Sequence, residues 1–194
     1  MLDTNPISWA QNVILADADY LDRVAFDLIV NFERMINRPI PPGDLCHWLD
    51  CVALDGGLRP GENTVQAIFL HSAQAGTLQN LRPGNFTTEL DGKAFRDQLG
   101  EFSLHSFAVE PIVSAADFFI ESLETLGNAP SVRRLMVVAD MDAYGGRVQR
   151  AAAAFNGKEV VLFSMEPLCG QGFRQEILGY SLMSALGIRS DELP

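Results

Sequence analysis

Asn12-Val13-Ile14-Leu15-Ala16-Asp17-Ala18-Asp19 is the stretch from which the rest of the chain is read. An apolar run that ends abruptly in acid marks a strand covered on both faces, with only its end reaching water. The same pattern returns in Leu135-Met136-Val137-Val138-Ala139-Asp140-Met141-Asp142. Each run is followed by a helical periodicity. Leu21, Val24, Leu28, Phe32, Met35 and Ile36 recur at three- and four-residue steps until Arg38-Pro39-Ile40-Pro41-Pro42-Gly43 breaks them. Val148, Ala152 and Phe155 continue the second pattern to an Asn156-Gly157 stop.

Working outward, Asp44 reads as the N-cap of a helix carrying Leu45, Trp48, Leu49 and Val52, stopped at Gly56-Gly57. Thr64 to Leu70, Phe102 to Val109 and Glu159 to Phe163 read as further strands. Ser114-Ala115-Ala116-Asp117 has capping-box spacing before a helix that buries Phe119, Leu123 and Leu126. A last helix runs through Ile177, Leu178, Leu182, Ala185 and Leu186. Strands alternating with helices require crossover connections. The expected fold class is therefore α/β: a three-layer, Rossmann-like arrangement with a mostly parallel sheet and helices on both faces. One domain over 1–194 is expected, with 166–194 as its C-terminal helical extension.

The 194 residues are 47% apolar and 20% charged, which suits a globular domain with a core. Against 14 Lys+Arg stand 25 Asp+Glu, a formal net charge of −11. That sign is wrong for broad phosphate neutralisation, so a polyanion would have to be met by local arginines or bridging metal. Arg133, Arg134, Arg147 and Arg150 are the nearest thing to a basic cluster. Three cysteines, Cys46, Cys51 and Cys169, cannot all pair, and Cys46-His47 with Cys51 lacks the second ligand pair of a zinc site; an apolar role is expected there. Met1 to Pro6 shows neither a basic start nor an apolar core, and no apolar run reaches membrane-spanning length, which points to a cytoplasmic chain.

In open parallel sheets ligands bind beyond the carboxyl ends of strands, where the strand order reverses. Both Asp-x-Asp pairs are expected at such a rim. Converging carboxylates repel unless a cation sits among them, and hard divalent ions take oxygen ligands. Asp17, Asp19, Asp140 and Asp142 are therefore the candidate metal ligands, for Mg²⁺ or Mn²⁺. The bland reading makes Asp19 and Asp142 helix N-caps and Asp117 the return arm of its capping box, leaving Asp17 and Asp140 to be explained by function.

The order of these elements, with Asp140-Met141-Asp142 between a strand and a helix that leads to Gly157-Lys158-Glu159-Val160-Val161-Leu162-Phe163, resembles NYN-type PIN-like nucleases. The resemblance spans Asn12 to Phe163. It implies a PIN-like fold, catalytic acids at Asp17, Asp117, Asp140 and Asp142, one or two divalent ions, and RNA as the substrate. Tyr20 stands where that family commonly has asparagine, and Ala139 where a Ser-Gly pair often leads into the acids. The Cys169-Gly170-Gln171-Gly172 turn, followed by a helix, would offer a phosphate cradle at that helix's N-terminus, although so short a Gly-x-Gly is more often just a turn. Two rival readings remain. A haloacid-dehalogenase-like phosphatase would use Asp17 as nucleophile with Asp19, Ser72, Lys93 or Lys158, and Asp140 with Asp142. The third is a non-catalytic α/β binding or regulatory protein that keeps the scaffold.

Overall fold

The computed structural model describes residues 8–193, so the reading of Met1 to Pro6 lies outside the described residues. In chain order the elements are β1 (Asn12–Asp17), α1 (Ala18–Ile36), β2 (Gly43–Asp44), α2 (Leu45–Asp55), β3 (Asn63–Ser72) and β4 (Leu81–Arg82). After one π-helical turn (Phe86–Leu90) come β5 (Lys93–Asp97), β6 (Gly100–Val109), α3 (Ala115–Asn128), β7 (Arg134–Val138) and α4 (Met141–Ala154). The chain ends with β8 (Glu159–Ser164), β9 (Arg174–Ile177), α5 (Leu178–Ala185) and a short 3-10 turn.

Seven strands form one sheet in the order β5-β6-β3-β1-β7-β8-β9, and β2 with β4 makes a small separate ladder. Every neighbour in the large sheet is parallel except the β5–β6 hairpin. This is a mixed α/β structure with a mostly parallel central sheet. Val13 to Ala16 are completely buried because the strand's alternation feeds two cores. Ile14 and Ala16 face α1, α2 and α5 together with Trp48, Phe69 and Phe163. Val13 and Leu15 face α3 and α4 together with Phe119, Leu123 and Val148. Helices thus cover both faces.

Two edge strands escape an apolar-run search. β5 (Lys-Ala-Phe-Arg-Asp) and β9 (Arg-Gln-Glu-Ile) are short and largely exposed, carrying charge where the sheet meets water. With β9, the segment after Glu166, expected as helix alone, also contributes a strand paired to β8. No helix among the described residues is long and apolar enough to cross a membrane.

Chain direction places the candidate site. From β1 the parallel strands extend one way through β3 and β6 and the other way through β7, β8 and β9, so the order reverses between β1 and β7. Ala16 pairs with Val138, which brings Asp17 and the Ala139-Asp140 step out together at the same rim. At the opposite end, Gly100 opens β6 at φ +129°, and a Cβ there would lie 2.1 Å from the Asn63 carbonyl oxygen. Gly100→Ala should therefore lower stability in urea denaturation by about 2 kcal/mol or more, the backbone strain and the clash acting together.

Candidate functional site

The two acids that end β1 and β7 begin the helices that follow. Asp17 is the N-cap of α1, its Oδ1 accepting the Tyr20 N–H at 3.0 Å. Asp140 caps α4 in the same way, accepting the Ala143 N–H at 3.0 Å. The capping role expected of Asp19 and Asp142 falls instead on the pair that the sequence left for function. Asp19 Oδ2 accepts the Ser72 N–H at 2.8 Å, tying the first turn of α1 to the end of β3. Asp142 lies exposed in the first turn of α4.

Each capping carboxylate has a second partner. The Tyr144 hydroxyl donates to Asp17 Oδ2 at 2.5 Å, and Arg23 Nη2 donates to Asp140 Oδ2 at 2.6 Å. The Arg23 guanidinium also lies 5.3 Å from the centre of the Tyr20 ring. Tyr144 leaves helical backbone geometry to make its contact, at φ −142° and ψ 21° inside α4. Asp117 stands apart from this network. Ser114 caps α3 as the spacing implied, but the exposed Asp117 carboxylate turns to Arg147 Nη2 at 2.8 Å.

Charge follows burial at the rim. Burial pushes the Asp17 carboxyl above its ordinary range; the Tyr144 and Tyr20 hydrogen bonds counter this, and the charges of Asp19 and Asp140 add to it. Burial, and then the Asp17 charge, hold the Tyr144 hydroxyl protonated as a donor. Tyr20 is pushed to about 12 by burial, then by Asp140 and Asp142. The hydrogen bond from Arg147, then that from Ser114, lowers Asp117.

Arg23 and Tyr144 were not picked out from sequence, although each lies within two turns of an acid that ends a strand. The expected basic cluster divides. Arg133 and Arg134 sit at the amino end of β7, where Arg134 binds Glu159 and Asn12, while Arg147 and Arg150 ride on α4. The chain's two lysines are both remote from the rim. The Lys158 ammonium donates to the Ala129 and Val132 carbonyls before β7, and Lys93 lies on β5, three strands and roughly 14 Å from β1. The Cys169–Gly172 turn leads into β9 rather than into a helix, so the phosphate cradle is not formed. All three cysteines are free; Cys46 and Cys51 are half-buried rather than buried, and Cys51 Sγ lies 3.7 Å from His47 Nε2.

Carboxylate oxygens are the right donors for Mg²⁺ or Mn²⁺, but their arrangement is not that of a ligand set. Both oxygens of Asp17 and of Asp140 already accept from backbone, phenol or guanidinium. Among the described residues no group of three or more His, Cys, Asp or Glu side chains is placed to hold a metal ion. As arranged, each of the four Asp17 and Asp140 oxygens has one lone pair taken by a hydrogen bond and only its second left for an ion. The crevice beside Asp17 and Asp19, closed by His71, Val109 and Phe119, measures about 10 Å³, room for a single water. Larger hollows lie elsewhere: an apolar cleft of about 280 Å³ between Trp9, Phe107 and α3, and an open one of about 530 Å³ beside Lys158 and Arg174.

A protein-family model described as "Family of unknown function (DUF6621)" matches residues 6–193. The chain belongs to this DUF6621 family. The match takes in the segment after Glu166 together with the two Asp-x-Asp strands. Comparison with the curated proteins and with the solved structures finds no match.

The DUF6621 rim makes a signed prediction. Because the folded protein raises Asp17, ionising it costs stability as pH climbs above the ordinary carboxylate range. Asp17→Asn keeps the cap through its one carbonyl oxygen and turns an amide N–H toward the Tyr144 oxygen, which then accepts, without the buried charge. Its melting temperature at pH 7 should equal or exceed that of wild type, whereas Asp17→Ala should lose about 1 kcal/mol through the cap. Tyr144→Phe should cost about 1–3 kcal/mol at pH 7 by stranding Asp17 Oδ2, and less in acid, where Asp17 takes up a proton.

Proposed function

We propose that this chain is a PIN/NYN-like α/β domain that binds its ligand at the β1–β7 rim and does not hydrolyse it. The observation that carries this reading is the allocation of oxygens: the acids that would hold metal in a nuclease are already engaged by Tyr20, Tyr144, Ala143 and Arg23. The crevice on the β3 side of Asp17 has room for no more than one water. RNA is the partner that the family resemblance implies, and arginines supply the cations around the rim. Arg23 is 57% exposed although it contacts Asp140, so further N–H groups face solvent; Arg147 and Arg150 stand on the neighbouring helix. Guanidinium can meet a phosphate with a planar pair of donors without giving up the fold's internal pairs. With the formal charge at −11, such binding is local and weakens quickly as salt rises.

A metal-dependent ribonuclease is the second reading. It is favoured by Asp17 and Asp140 ending neighbouring strands at the reversal point, with the exposed Asp142 beside them. The phosphatase reading has less support, since neither lysine reaches the rim.

Labelled single-stranded RNA separates these readings. Fluorescence anisotropy should show binding that falls as salt is raised, weakened several-fold by Arg23→Gln and by Arg150→Gln, with the RNA intact on a denaturing gel in millimolar Mn²⁺. Mn²⁺ should leave the melting temperature unchanged. Cleavage that requires Mn²⁺ and is abolished by Asp140→Asn would establish the nuclease, and turnover of a phosphomonoester alone would establish the phosphatase.

A further inference from the structure

α2 and α5 pack together on one face of the sheet, and three polar side chains meet at the solvent edge of their seam. His47 and Cys51 are four residues apart on α2 and so share one side of that helix. Cys51 Sγ lies 3.7 Å from His47 Nε2, and Ser184 Oγ, from α5, lies 2.8 Å from the same nitrogen. His47 and Ser184 are exposed and Cys51 is half-buried, so the group opens to water. Packing beneath it fixes the seam. Leu45, Trp48, Leu49 and Val52 of α2 share one core with Leu178, Leu182 and Ala185 of α5, and the buried Trp48 indole N–H donates to Ser181 Oγ at 3.2 Å. Asp44 Oδ1 accepts the His47 N–H at 3.0 Å, capping the turn that carries the imidazole. The three groups are thus brought together by contacts that do not involve them, and a ligand has little ordering left to impose.

The donor set selects its ligand. Thiol sulfur and imidazole nitrogen suit borderline and soft transition ions, whereas Mg²⁺ and Mn²⁺ take oxygen. Zn²⁺ sits about 2.0–2.1 Å from an imidazole nitrogen and about 2.3 Å from a thiolate sulfur, so a tetrahedral ion holds the two atoms about 3.5 Å apart. The 3.7 Å between Nε2 and Sγ is already close to that bite. The local charge also has the right sign, since Asp44 caps α2, Asp50 and Asp55 lie on it, and neither α2 nor α5 contains a lysine or arginine. We propose that His47 Nε2 and Cys51 Sγ form a two-residue binding site for a thiophilic divalent ion of the Zn²⁺ class, with water in the remaining positions and Ser184 beside it.

Binding is a simple exchange. The Cys51 S–H proton leaves for solvent, the sulfur and the imidazole nitrogen each give a lone pair to the ion, and Ser184 Oγ surrenders its contact with Nε2. Structural zinc sites are closed by four protein ligands, so a site of two leaves the fold independent of the ion and the ion free to exchange. A pair also accords with the finding that, among the described residues, no larger group of His, Cys, Asp and Glu is placed to hold a metal.

The test titrates the reduced full chain with Co²⁺, whose bond to a thiolate gives a charge-transfer absorption in the near ultraviolet. That band should saturate at one ion per chain and disappear when Zn²⁺ displaces the cobalt, while equal Mg²⁺ or Mn²⁺ leaves it in place. Cys51→Ser should abolish the band and His47→Gln should weaken binding at least several-fold, whereas Cys46→Ser and Cys169→Ser should change neither. In the wild-type chain Zn²⁺ should also slow alkylation of Cys51 several-fold, read residue by residue in a mass spectrometer, and leave Cys169 as reactive as before. The proposal is overturned if wild type shows no band in millimolar Co²⁺, if the band survives Cys51→Ser or binding is indifferent to His47→Gln, or if Zn²⁺ does not protect Cys51. The cobalt titration and the alkylation both use the wild-type chain, so a variant that fails to fold does not shield the idea.

Discussion

β1 is dry on both faces, and almost everything at the candidate site follows from that. A strand buried in this way reaches water only at its ends, so its terminal Asp17 has to begin the next helix and meet the acid that ends β7. Carboxylates brought that close are costly unless each oxygen has a donor. The fold supplies donors from four sources: the first turn of α1, the first turn of α4, a phenol and a guanidinium. The two helices then leave for opposite faces of the sheet, so each cap also fixes the direction in which a layer is built.

Fold and site were not equally legible in the sequence. Val13–Ala16 and Leu135–Ala139 announce themselves as strands because burial on both faces demands an unbroken apolar run, and the helices after them because one buried stripe repeats every three or four residues. β5 and β9 were hidden because an edge strand pairs on one side only and is selected for polarity rather than for burial. At the site, the position of the acids could be read, since a strand end is a local property. Their partners could not. Arg23 and Tyr144 reach the carboxylates through the crossing of helices over a sheet, a relation that sequence spacing does not encode. The exchange of roles between Asp17 and Asp19 shows how fine the margin is: a helix that starts two residues earlier turns a candidate catalytic acid into a cap.

That exchange also bears on how acidic motifs at strand ends are interpreted. Asp-x-Asp after an apolar run satisfies two requirements at once, an acceptor for the orphan N–H groups of a helix and a negative charge at the positive end of its dipole. Both hold whether or not a ligand is ever bound. Here the second oxygen of each cap goes to Tyr144 and to Arg23.

The polarity of the outer strands governs how copies of the chain can associate. An open sheet with bare apolar edges invites another strand to add to it. Here one edge is an antiparallel strand bearing Lys93 and Arg96, and the other is a four-residue strand bearing Arg174 and Glu176. Extending either ladder would desolvate these charges, so self-assembly by strand addition is disfavoured at both ends. Exposed apolar surface lies away from those two edges, at Phe26, Met35 and Tyr180 on the helices and at Phe107 and Ile112 at the end of β6 and just after it.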